Sequence, residues 1–223
     1  GATYGALGLG DLSTRSSPTV VGTSSWTAVA LGSDYGLGIT TTGALFAWGY
    51  NGQGQLGQGD IINRSTPVQI GTSSWIAVTT GGSTVAAIRQ DNKLFAWAFG
   101  SYGKLGDGTS TSKSSPVQIG SSSWSLVSVS GFHTAAIRSD GGLFTWGQNN
   151  AGQLGDGTVT SKSSPVQIGS SSWTFVSARY NTNNNSSATI AKRYSANDLW
   201  VAGYSVLNNL VNTSSFVQVS RDF

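Results

Sequence analysis

The 223-residue sequence has no cysteine, no methionine and no glutamate, and a single histidine, His133. Without thiols there is neither a disulfide scaffold nor a thiolate metal site. Charged residues make up 9 % of the chain, against about 25 % in an average protein, which excludes a charge-laced coiled coil. Lys and Arg (12) exceed Asp (9) only slightly, for a formal charge of +3. The pI of 9.3 therefore reflects scarce charge rather than a basic patch, and no specific nucleic-acid partner is expected. No apolar run approaches the ~18 residues of a transmembrane helix, so no membrane span is expected. Small net charge with many aromatics argues against disorder.

Glycine (31) and tryptophan (8) are abundant, and both are periodic. Pro18, Pro67, Pro116 and Pro165 stand 49 residues apart, as do Trp26, Trp75, Trp124 and Trp173. Gly8, Gly57, Gly106 and Gly155 keep the same step, and so do Arg15, Arg64, Lys113 and Lys162. Trp48, Trp97 and Trp146 follow it too, but Trp200 falls 54 residues on, which places a five-residue insertion at 181–185. Residues 102–124 and 151–173 agree at 20 of 23 positions, the mark of a copied structural unit rather than of one chemical site.

Each repeat reads as four short strands, exemplified by 75–79, 84–89, 93–98 and 116–119. They are β-branched, aromatic or small, and Gly, Asn, Asp and Ser punctuate them. Pro116 opens the fourth strand, where a missing N–H is tolerated on an edge. The small Ala86, Ala87, Ala135 and Ala136 suit crowded inner strands. A period of about 40–50 residues with four strands is the pattern of a β-propeller. An open solenoid of small sheets is the other architecture with this pattern. The repeats fall at about 1–51, 52–101, 102–150 and 151–206, with a degenerate closing strand in 207–223, all in one domain, 1–223. The eight tryptophans are assigned to the repeat core between blades.

Trp146-Gly-Gln-Asn, Gly152-Gln-Leu-Gly-Asp-Gly, Pro165-Val-Gln-Ile and Gly131-Phe-His-Thr-Ala resemble the pattern of the regulator of chromosome condensation repeat family. His133 has Tyr35 and Thr84 as equivalents, and Ala98 replaces the Gly of Trp-Gly. The resemblance implies an all-β, seven-bladed propeller. About four blades would be present here, with earlier repeats expected before Gly1 and a chain end near Phe223.

The loops at Asp107 and Asp156 offer one carboxylate each, where Ca²⁺ needs six to eight oxygens, so they read as turns and no metal is expected. His133 reads as a hydrogen-bonded structural position inside its blade. The basic ring of Arg15, Arg64, Lys113 and Lys162 reads as solvated loop charge. Asp11 with Asp60, and Asp91 with Asp140, are repeat-equivalent, and repetition alone explains them without a glycosidase pair. No catalytic residue and no cofactor is assigned. Variation marks recognition, and the least repeated stretches are 50–53, 99–102, 148–151 and 180–187. The first three occupy one repeat position and are expected on one face. Tyr50, Asn51, Phe99, Tyr102, Asn149, Asn150 and Asn183 are the candidate binding residues, of a type suited to adaptable contacts.

These observations point to a non-enzymatic structural or binding module on a virion or cell surface, and a tail-fibre, decoration or receptor-contacting role is what the resemblance of the repeat to virion proteins implies. Its partners would be a protein or glycan receptor or neighbouring virion proteins. Open blade edges would be covered by other chains or upstream repeats. The repeat wording also resembles virion versions of the family found in marine bacteriophages. The resemblance equally allows a cellular or secreted protein-binding propeller, GTPase-regulator-like or enzyme-inhibitor-like.

Overall fold

The computed structural model describes residues 3–181, 186–194, 198–203 and 213–219. They form antiparallel sheets with no α-helix among the described residues. The first blade holds β1 (Trp26–Leu31), β2 (Tyr35–Thr40), β3 (Ala44–Gly49) and the opening of β4 (Arg64–Gly81). The long β4 carries on as the first strand of the second blade, followed by β5 (Thr84–Arg89), β6 (Leu94–Ala98) and β7 (Lys113–Gln118). The third blade holds β8 (Trp124–Val129), β9 (His133–Arg138), β10 (Leu143–Gly147) and β11 (Lys162–Gln167). The fourth holds β12 (Trp173–Asn181), β13 (Ser186–Arg193), β14 (Leu199–Gly203) and β15 (Thr213–Gln218). First strands of neighbouring blades touch one another, so they line the inside and the Pro-bearing strands form the outer edge. This is a four-bladed segment of a β-propeller.

The expected strands recur with two corrections. The fourth strand starts at Lys113, ahead of Pro116. Pro116 is accommodated by a bulge, since the register passes from Ala96↔Val117 to Ala98↔Lys113. A bulge leaves a residue without a ladder partner, and there the missing N–H costs nothing. Residues 18–21, the repeat equivalents of the strand expected at 116–119, carry no strand, because an outer strand needs the third strand of its own blade to pair with. The expected insertion, 181–185, lies largely outside the described residues. Around it β12 runs nine residues, against six in β8.

The cores lie between blades. Leu37, Ile39 and Leu45 of the first blade meet Trp75, Val85 and Trp97 of the second. Ala86, Ile88 and Leu94 meet Trp124, Val127 and Trp146 of the third. Ala135, Ile137 and Leu143 meet Trp173, Val176 and Ala191 of the fourth. Alanines on second strands let the sheets close on the large indoles. A blade therefore covers one face of the next. On β1 the matching face is open: Val29 and Leu31 are 64 % and 72 % exposed, where the equivalent Val127 and Val129 are 9 % and 6 %. What the first blade leaves open is a sheet face and not a hydrogen-bonding edge, contrary to the expectation from sequence.

Candidate functional site

The loops between third and fourth strands lie at the same end of the blades as the hairpins between first and second strands. Each loop also clasps the next blade. The N–H of Gly59 donates to the Ser114 carbonyl at 2.8 Å, Gly108 to Ser163 at 2.9 Å and Gly157 to Ser214 at 2.7 Å. The indole of the next third strand returns the contact: Trp97 Nε1 donates to the Gln55 carbonyl at 2.9 Å and Trp146 Nε1 to that of Lys104 at 3.0 Å. Gly103 shows why the loop needs glycine. Its φ is +75°, and a Cβ there would stand 2.4 Å from the Ser163 Cα.

Asn51 and Asn149 were expected on a recognition face. Both are instead fully buried and hold their own loops together. Asn51 Nδ2 donates to the carbonyls of Asp60 and Ile62 at 3.1 Å, and its Oδ1 accepts from the Leu56 N–H at 2.9 Å. Asn149 Nδ2 donates to Thr158 and Thr160, and its Oδ1 accepts from Leu154. An amide with two donors and an acceptor can pin a closed loop from inside, and that is why the residue recurs. Tyr50 packs on Tyr4, ring centroids 4.8 Å apart, and Asn150 is exposed. Asn183 lies outside the described residues.

The aspartates are occupied too. Asp107 Oδ1 accepts from the Thr109 N–H and hydroxyl at 2.9 and 2.8 Å, and Lys113 stands 3.5 Å from Oδ2. Asp156 does the same with Thr158, with Lys162 at 3.7 Å. Burial alone would raise the Asp156 carboxyl. The hydrogen bonds from Thr158 and Asn149 and the Lys162 charge outweigh it and hold the pKa low. In the earlier repeats the acid sits at Asp11 and Asp60, where it meets Arg15 and Arg64. The recurrent cations are thus paired within their loops. Asp91 and Asp140 each pair with an arginine of their own blade, Arg89 and Arg138, at 2.6 Å. Among the described residues no group of three metal-ligating side chains occurs.

The blade junctions differ where the repeats differ. Tyr35 sends its hydroxyl from the first blade to the Gly82 carbonyl of the second, at 3.0 Å. Its equivalent His133 is wholly buried and bridges blades rather than bonding only inside one. Its Nδ1 lies 2.7 Å from the Ser130 hydroxyl and its Nε2 lies 2.9 Å from the Thr189 hydroxyl of β13. Burial pushes its pKa down to about 3, so the ring is neutral. The third equivalent, Thr84, is short and bonds within its blade to the Phe99 carbonyl at 2.6 Å. It cannot reach Gly131, the counterpart of Gly82. Lys104 does so from the loop, at 2.7 Å from Nζ to the Gly131 carbonyl.

Lys104 replaces the Gln of the repeat. Gln55 and Gln153 turn their Oε1 back to the N–H of residue 53 or 151 in their own loop. Lys104 is 1 % exposed, and its Nζ stands 4.6 Å from the Phe99 ring centroid and 5.9 Å from that of Phe132. Burial lowers its pKa to about 8. Around it opens a cup of about 590 Å³, lined by Ser83, Phe99, Phe132, Arg179 and Tyr180 among others. Tyr102, Phe132 and Tyr180 stack edge to face along its rim, at centroid distances of 5.8 and 4.6 Å.

The repeat profile described as "Regulator of chromosome condensation (RCC1) repeat" matches residues 42–88, 91–137 and 140–178, more than half of the chain. The chain belongs to the RCC1 repeat family. A second RCC1 repeat profile matches residues 26–55 and 124–153. Among solved structures, human WBSCR16 is similar at 21 % identity and a TM-score of 0.74, covering 86 % of this chain and 51 % of that one. Yeast RCC1 (Prp20) bound to Kap60 is similar at 17 % identity and a TM-score of 0.77, covering 92 % and 50 %. Prp20p from Saccharomyces cerevisiae, in a structure described with its binding properties to Gsp1p and histones, gives 16 % and 0.77, covering 91 % and 52 %. The chain spans about half the length of these proteins. At such identities the likeness establishes the fold. No curated protein sequence matches the chain.

Against the RCC1 pattern, the sequence-derived candidates divide. Phe99 and Tyr102 come together at the cup, Tyr50 sits at another loop, and Asn51 and Asn149 are structural. Lys104, Phe132 and Arg179 were missed as site residues. The signal was present: Gly103-Lys-Leu-Gly is the one loop of its kind with a cation in place of Gln. Two of the three described non-glycine residues with positive φ, Ala98 and Tyr102, fall in the second blade at the same end as this loop.

Proposed function

We propose that this RCC1 repeat chain is a non-enzymatic protein-binding module, displayed on a virion or cell surface, that engages its partner through the loop end of the blades. The observation that carries this reading is the row Tyr102, Phe132 and Tyr180. Tyr102 is 48 % exposed and held at φ +63° on top of the row. Aromatic side chains fixed in this way are the usual anchors of protein interfaces. Display on a surface is supported by the low charge, the absence of cysteine and the Ser/Thr/Asn-rich exterior. The test is cross-linking of the tagged chain in extracts of bacterial envelope and of eukaryotic nuclei, comparing the parent with Tyr102→Ser and with a control at the opposite end of the blades, Tyr194→Ser. Proteins captured by parent and control but lost from Tyr102→Ser support the reading. Equal capture by all three overturns it.

A second reading is a cellular regulator of a small GTPase. The likeness to yeast RCC1, whose structure is described with Gsp1p and histones, favours it. Enrichment of a GTPase from the nuclear extract, lost with Tyr102→Ser, would select it over surface display.

A further inference from the structure

Five departures from the repeat converge on one junction. Thr84 replaces Tyr or His, Ala98 replaces Gly, Phe99 and Tyr102 occupy variable loop positions, and Lys104 replaces Gln. Phe99 and Lys104 line a cup that Ser33 of the first blade, Ser83 of the second, Phe132 of the third and Tyr180 of the fourth complete.

The cup has an unbalanced chemistry. Lys104 carries three N–H donors, and one of them meets the Gly131 carbonyl. The Tyr35 hydroxyl does the same structural work at the neighbouring junction without bringing a charge. Among the described residues no carboxylate lines the cup and no ion pair involves Lys104. A buried ammonium ion without a counter-ion is costly, and nearby anions are what offset that cost. The pKa of about 8 agrees with this. The other charged or titratable groups lining the cup are Arg179, exposed at the rim, and Tyr180. His133 on the adjacent strand is buried and neutral.

The walls define the remainder of the ligand. Phe99 and Phe132 both have ring centroids near the ammonium, at 4.6 and 5.9 Å, and Tyr180 meets Phe132 edge to face. Gly131 lets the Tyr180 ring pack directly on the backbone, since a Cβ there would come 2.9 Å from that ring. The volume, about 590 Å³, lies in the range of small-molecule sites, about 300–1,000 Å³.

We propose that this cup binds an organic carboxylate, with the anionic group at Lys104 and an aromatic or apolar remainder between Phe99, Phe132 and Tyr180. The carboxylate comes either from a free acid or from an acidic side chain next to an aromatic residue in a peptide. This goes beyond protein binding by the exposed Tyr102 row, because it depends on Lys104 beneath that row.

The test is an NMR titration of the labelled 223-residue chain, following the amides of Gly131 and Phe132. The probes are phenylacetate, its uncharged counterpart phenylacetamide, and the blocked dipeptide acetyl-Phe-Asp-amide. Phenylacetate or the dipeptide should bind saturably, phenylacetamide at least tenfold more weakly. Lys104→Gln should weaken binding at least tenfold while keeping the melting temperature of the parent or raising it, since Gln55 and Gln153 show that the loop folds with Gln. Arg179→Gln, at the exposed rim, should weaken it two- to fivefold. Tighter binding of the dipeptide assigns the carboxylate to a partner chain, and tighter binding of phenylacetate assigns it to a free acid. The proposal is overturned if neither anion binds, if phenylacetamide binds equally well, or if Lys104→Gln binds like the parent. None of these results bears on capture through Tyr102.

Discussion

At the junction of the third and fourth blades, the His133 ring is held at both nitrogens by hydroxyls. Thr189, one of its partners, donates onward to the Gln153 carbonyl at 2.6 Å. Every polar atom in that chain has a neutral partner, and the junction is closed. At the junction of the second and third blades, the same repeat position is Thr84, which stops short. Lys104 fills the vacancy from the loop and brings in a charge that no carboxylate among the described residues pairs. The two junctions share strands, register and a first-strand indole, Trp124 or Trp173, whereas the third-strand indole Trp146 has Ala202 as its counterpart in the fourth blade. They differ in whether the polar groups at the loop end are saturated. A saturated junction serves the fold, and an unsaturated one has chemistry left over for a ligand.

Four substitutions or titrations break or sharpen this contrast. The largest effect belongs to the indole packing between the second and third blades. Trp146→Ala removes a fully buried indole and its bond to the Lys104 carbonyl, and should cost about 3–5 kcal/mol in denaturant unfolding. Trp200→Ala should cost clearly less, because that ring is partly exposed and its Nε1 has no hydrogen-bond partner.

The second concerns Lys104. The unfolded chain keeps this proton up to about pH 10.4, whereas the folded chain releases it near pH 8. Between these values the unfolded state binds more protons, so stability rises with pH, by up to about 1.4 kcal/mol per unit and about 3 kcal/mol in all. Buried Tyr35, whose pKa is raised by burial, acts in the opposite sense above pH 10, so the rise is read between pH 8 and 10. Lys104→Gln should abolish it. Unfolding curves of parent and variant at pH 7, 8, 9 and 10 check this.

His133 gives the acid counterpart. Its proton binds near pH 6.5 in the unfolded chain but only at about 3 in the folded one. Its contribution is complete above pH 6.5 and is lost as pH falls from there towards 3. At pH 5 the loss should be about 2 kcal/mol. Thermal melts from pH 7 to 5 should show this slope in the parent and a flatter one in His133→Gln.

The smallest effect is at the ends of the third strands. Ala98 sits at φ +74°, where Gly147 sits at +105°. Ala98→Gly should stabilise by about 0.5–1 kcal/mol, by relieving a left-handed non-glycine residue. The reverse change at the saturated junction, Gly147→Ala, should destabilise by about 1–2 kcal/mol. Its Cβ would meet the His133 Cα and the Phe132 carbonyl oxygen at 2.7 Å. Equal melting temperatures for the two variants would show the junctions to be alike in their backbone tolerance.

Much of the fold is legible from spacing. The first-strand tryptophans, the prolines and the glycines recur because every blade must solve one packing problem, so periodicity exposes most of the core directly. Trp200, expected as the counterpart of Trp146, instead takes the place of Phe144, and Ala202 that of Trp146. The bulge at Pro116 was hidden because a missing N–H looks the same at a strand start and at a bulge. The burial of Asn51 and Asn149 was hidden for a related reason. Asparagine favours exposed turns and buried loop pins alike, and only the carbonyls around it distinguish the two.

The sequence by itself determined the repeat, the four-stranded unit and the family, because these rest on spacings along the chain. It also recorded that Lys104 stands where Gln stands elsewhere. Only the tertiary structure decided what that means. Thr84, Phe99, Lys104, Phe132 and Tyr180 belong to three different blades, and they meet because one blade must bury its face on the next. The length of one side chain at residue 84 then decides whether the junction closes on itself or leaves an ammonium ion facing an open cup.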